Sequence, residues 1–167
     1  MLSVVIAAAR LGGFFAAHAI WCVSGGETLV PMLAYVTERG ERKMERHAGA
    51  ELGAIVENAR RQLVANAMDA NDAVLLYDAR IPVGAEKLDA IVLELRTYFS
   101  PRSEMTLAVP YTPPTAKTPF RVHRPKLLGW VECEDFDRHA VLESFFAGVD
   151  EHTEGAKIWS AALDESK

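Results

Sequence analysis

The sequence predicts an α+β domain with one mostly antiparallel sheet. An N-terminal hairpin and a three-stranded meander supply the strands, with one central helix and two C-terminal helices packed against them. Three observations carry that prediction. Between Ala73 and Tyr111, three runs alternate with a period of two, and one parity is almost wholly apolar: Leu75, Tyr77, Ile81; Ile91, Leu93, Leu95, Phe99; Met105, Leu107, Val109, Tyr111. Between Gly49 and Ala67 the period lengthens to that of a helix, with Leu52, Val56, Ala59 and Leu63 on one stripe. Towards the C-terminus, Leu142, Phe145, Phe146 and Val149, and then Trp159, Ala162 and Leu163, mark two further helices separated near Gly148 and Gly155.

Taken in order, residues 1–13 read as a short helix or extension, and 14–167 as a single α+β domain. Met1 to Ala9 is apolar apart from Ser3, but no basic residue precedes it and Arg10 interrupts it. A cleaved leader ending near Ala17-His18-Ala19 is the alternative, and it implies secretion. A membrane span would have to bury Arg10 and carry Gly12-Gly13 in mid-helix, so none is expected. Ala17–Val23 is expected to be the first strand, Ser24-Gly25-Gly26-Glu27 its turn, and Leu29–Thr37 a central second strand apolar on both parities. Pro31 donates no hydrogen bond, so it marks a bulge or an unpaired start. Arg42–His47 is polar, as an edge strand should be.

The helix over 49–67 places Glu57 and Arg61 as an i,i+4 pair on its outer side. In the meander, a first loop near Ala85 sets Tyr77 opposite Leu93 and Leu75 opposite Leu95. A second near Arg102 sets Leu95 opposite Val109 and Phe99 opposite Met105. From Thr112 to Lys126 four prolines impose extended or turn geometry. The part from Lys117 to Lys126 carries Lys117, Arg121, His123, Arg124 and Lys126 and no acid. Asp135 is the expected N-cap of the next helix.

The 167 residues, half of them hydrophobic and a quarter charged, suit one soluble domain with a real core. A net charge of −5 argues against a surface devoted to nucleic acid, and two unpaired-looking cysteines point to a reduced, cytoplasmic chain. No metal-ligand spacing, phosphate loop, dinucleotide fingerprint or nucleophile elbow is present, so neither metal nor cofactor is expected. The one local cluster, Cys133, Asp135, Asp137 and His139, reads as a helix cap with a solvated surface. His18 and Cys22 share a parity, but as strand residues they lie roughly 13 Å apart, too far for a nucleophile and its base.

Two surfaces hold candidate ligand-binding residues. One is the polar face of the meander, with Asp78, Glu94, Arg96 and Tyr98; its plainer reading is a solvated face of offsetting charges. The other is the basic run, where alternation sets Arg121 and His123 on one side; its plainer reading is docking onto the acidic C-terminal part of the same chain. The function expected is a non-catalytic binding or assembly domain acting through protein contacts or a small ligand, with a homo-oligomer as one form open to it and without nucleic acid. The alternative is a small hydrolase-like enzyme with its site on the polar face of the meander.

Overall fold

One long helix, α1 (Leu2–Val23), occupies the stretch where the sequence suggests an extension followed by a strand. The computed structural model describes residues 2–99, 103–131 and 137–167, with side chains from Val5 onward. The expected strand Ala17–Val23 is therefore corrected to helix, and position 13 lies inside an element. Gly12-Gly13 does not break α1, because both glycines serve close packing. A Cβ on Gly12 would come within 2.7 Å of a Leu95 methyl, and one on Gly13 within 1.7 Å of the Phe145 carbonyl oxygen.

The partners answer in kind. Helix α3 (Arg138–Glu151) brings Gly148 against the Arg10 carbonyl, and α4 (Thr153–Ala162) brings Gly155 against that of Ala17. Two interior glycines cost α1 about 1 kcal/mol each. Each large apolar side chain fully buried by the close approach, such as Leu95 or Phe145, returns roughly 1.5–3 kcal/mol. Packing wins.

All strand pairings in the sheet are antiparallel. Its order is β2 (Arg42–Arg46), β1 (Met32–Val36), β3 (Asp72–Val83), β4 (Glu86–Thr97), β5 (Ser103–Thr112), then β6 (Arg121–Val122). β7 (Lys126–Val131) pairs with the other half of β5, with a register shift at Thr106/Leu107. The polar strand is at the edge as expected. β1 begins directly after Pro31, whose carbonyl accepts the His47 N–H at 2.9 Å.

The register of the meander departs from the one the parities suggest. Leu76 faces Leu93 and Val74 faces Leu95, so the expected pairs Tyr77–Leu93 and Leu75–Leu95 are displaced by one residue. Leu95 faces Met105, four residues before Val109, and Phe99 lies beyond the end of β4 and is exposed. Arg102, the expected centre of that second loop, lies outside the described residues. The first displacement has a simple cause: both parities of β3 are apolar because both faces of the sheet are covered. Val74 and Leu76 meet α1 with Leu93, Leu95, Met105 and Leu107. Leu75 and Ala73 point the other way, to α2 (Leu52–Ala65), and pack on Val56, Ala59 and Leu63.

Smaller corrections follow. Leu52 is exposed at the start of α2, and Glu57 pairs with Arg60 while Arg61 bonds Asn58. Asp137 caps α3, accepting the His139 and Ala140 N–H groups; Asp135, Cys133, Glu132 and Glu134 lie outside the described residues. Val5–Val23 is long and apolar enough to cross a bilayer, and here most of it is buried between the sheet and α3 and α4.

Candidate functional site

The two faces of the sheet divide the residues expected to form one polar surface. Glu94, Arg96 and Tyr98 lie on the α2 side. Arg60 of α2 forks onto Glu94, with Nε 2.8 Å from Oε1 and Nη2 2.6 Å from Oε2, and the Tyr77 hydroxyl donates to Oε2 at 2.7 Å. Burial raises the Glu94 pKa, but the hydrogen bonds from Arg60 and Tyr77 outweigh it and hold the carboxyl below its ordinary value. Burial and that carboxylate push the Tyr77 phenol up to about 12. Arg96 pairs with Glu104 and donates to the Val64 carbonyl, and the Tyr98 hydroxyl donates to the Leu63 carbonyl. These groups fasten α2 to the sheet.

Asp78 is on the opposite face. It accepts from the Tyr111 hydroxyl at 2.7 and 2.9 Å, and the Leu29 backbone N–H also turns towards it. Burial, the largest effect, raises its pKa. The basic run is divided as well. β6 ends after two residues, so Arg121 is exposed while His123 is almost fully buried, beside a buried Val122. His123 meets Thr112 Oγ1 at 2.9 Å through Nε2 and the Asp164 carbonyl at 3.2 Å through Nδ1. Arg124 donates to the Lys167 carbonyl at 3.3 Å. The run docks on the C-terminal tail through backbone and Asp164, while Glu151 is taken by Arg10 and Arg42.

A concave site lies elsewhere, where α1 ends. Ser24 N–H bonds the Ile20 carbonyl and Gly26 N–H the Val23 carbonyl, each at 3.0 Å, and Gly26 takes φ +93°. Glycine adopts that left-handed backbone without a Cβ penalty, so the chain turns sharply off the helix. It then crosses to β1 and leaves a cleft of about 460 Å³. Trp21 and Cys22 from α1, Glu27 to Val30 from the loop, Met32 from β1 and Arg46 from β2 line it.

Charge is uneven in the cleft. Among the described residues, neither Arg46 nor Glu27 makes an ion pair or a side-chain hydrogen bond. Both act on Cys22: burial raises its pKa most, Arg46 lowers it and Glu27 raises it again, so the group stays a thiol.

Behind Trp21 sits a histidine pair, His18 Nδ1 and His152 Nε2, 3.2 Å apart. His152 Nδ1 accepts the Gly155 N–H at 2.9 Å and so caps α4. Its proton must then be on Nε2, donated to His18 Nδ1, which leaves the His18 proton on Nε2, buried and without a partner. Burial lowers both pKa values, and His152 and Arg46 lower that of His18 further. Phe14 and Trp21 close over the two rings, with centroids 5.2 to 5.8 Å away.

His18 and Cys22 are one helical turn apart, not 13 Å, because the stretch is helical; yet His18 is engaged by His152, not by the thiol. Sequence reasoning missed Trp21, Glu27, Arg46 and His152. The available signal was His18, Trp21 and Cys22 at i, i+3 and i+4, a helical spacing read as a strand. Compared with known protein families, curated proteins and solved structures, the chain matches none.

Proposed function

We propose that the chain is a non-catalytic binding domain that holds a small ligand in the cleft at the C-terminal end of α1. One observation carries this reading: an exposed Trp21 and two opposite, unpartnered charges converge on a concave site. Support for a binding role comes from the groups that chemistry would need. Glu94 is committed to Arg60 and Tyr77, Cys22 is a thiol, and His18 Nδ1 is occupied by His152. A cytoplasmic setting, without nucleic acid, belongs to the same proposal.

A screen of small amphipathic fragments, read by amide shifts and thermal stabilisation, tests it. Fragments are expected to shift amides between Trp21 and Val30, and Trp21→Ala is expected to abolish those shifts. A screen whose hits all avoid the cleft contradicts the reading. Assembly through protein contacts is the second reading, favoured by Leu128 and Val131, which stand half-exposed on β7. Sedimentation over a wide concentration range checks it, with a concentration-dependent mass as the supporting result.

A further inference from the structure

We infer that the ligand of the α1 cleft is a zwitterion of the α-amino-acid type with an apolar or aromatic side chain. This rests on the small-ligand reading above and names its chemistry. Arg46 and Glu27 line the same cleft and do not pair with each other. Both are near enough to Cys22 to perturb its thiol. Opposite charges that line one cleft without pairing suit a bridging molecule that carries one charge of each sign.

The two charges assign the poles. Glu27 comes from the loop after α1 and Arg46 from β2, so the cleft offers one charge of each sign. A ligand ammonium placed beside Glu27 meets a carboxylate. The ligand carboxylate then falls to Arg46, whose planar guanidinium offers two parallel N–H donors. In the same cleft Trp21 is 46% exposed and Val30 45%, an apolar surface on which a side chain can lie. A plain carboxylate would leave Glu27 unanswered. A plain amine would leave Arg46 unanswered.

Three compounds with one apolar body separate the cases: L-phenylalanine, 3-phenylpropionate and phenethylamine, each titrated into the full chain and followed by amide shifts. L-Phenylalanine is expected to bind at least fivefold more tightly than either single-charge analogue, with shifts between Trp21 and Val30. Arg46→Gln should level L-phenylalanine with phenethylamine, and Glu27→Gln should level it with 3-phenylpropionate. Both side chains are exposed, so neither change threatens the fold. Binding of a single-charge compound as tightly as L-phenylalanine overturns the zwitterion and leaves the cleft reading intact. No cleft shift with any of the three also overturns it, and the fragment screen, which does not depend on these compounds, then decides the parent reading.

Discussion

On one face of the sheet α1 lies against Leu93, Leu95 and Leu107, with Gly12 admitting a Leu95 methyl and Gly13 admitting the backbone of α3. On the other face α2 rests on a small patch of Leu33, Ala73 and Leu75 and is fastened by Arg60, Tyr77, Glu94, Arg96 and Tyr98. The first contact is specified by shape and the second by hydrogen bonds. Close packing between backbones tolerates little change, because the interior is dense and cannot yield. A half-buried ionic network exchanges partners with water and contributes less. The candidate cleft is built on the first kind of contact: its inner wall is the last turn of α1.

The sharpest way to break the comparison is Gly13→Ala. The new Cβ would meet the Phe145 carbonyl at 1.7 Å, so α3 must shift away from α1. A loss of about 4 kcal/mol or more is expected in chemical denaturation, at the upper end for single substitutions. Gly25→Ala, with nothing within 4 Å of its Cβ, serves as the control and should stay within about 0.5 kcal/mol. Next comes Glu94→Gln, which removes the carboxylate that Arg60 and Tyr77 share; a loss of about 1–3 kcal/mol is expected by the same measurement.

These two faces also explain what the sequence shows and what it conceals. The helix over 49–67 was legible because α2 has one buried stripe and an exposed remainder, and the edge strand because Arg42, Lys43, Glu45 and Arg46 face water. α1 was not legible. It is enclosed by the sheet on one side and by α3 and α4 on the other, so Ala9, Ala16, Ala17, Ala19 and Ile20 are all buried and no amphipathic period survives. Its paired glycines read as a break when they are contact points. The same double covering made both parities of β3 apolar, so parity could not choose the register. The cleft was hidden because its parts come from a helix end, a turn, β1 and β2. The histidine pair behind it joins residues 134 apart in the chain.

A smaller effect is expected from pH. The His18 and His152 pKa values are lowered, burial being the largest cause, so below the ordinary histidine value near 6.5 the unfolded chain binds more protons than the folded one. Their contribution is complete above about pH 6.5 and falls as the pH drops towards the folded values, by at most about 1.4 kcal/mol per pH unit for each group. Urea midpoints at pH 7.5 and 5.5 should therefore differ, with the lower midpoint at 5.5. His18→Gln should flatten that difference. An unchanged slope in the variant would place the pH dependence elsewhere.

Native-state hydrogen exchange at single amides tests most directly whether α1 is the rigid frame and α2 the separable layer. The amides of Ala16 to Val23 are expected to exchange only through global unfolding, together with those of Ile91 to Leu95. Those of Val56 to Leu63 should exchange through a local opening of lower free energy, and Glu94→Gln should lower that opening further while changing α1 only as far as global stability changes. Equal opening free energies in α1 and α2, lowered in step by Glu94→Gln, would contradict the account.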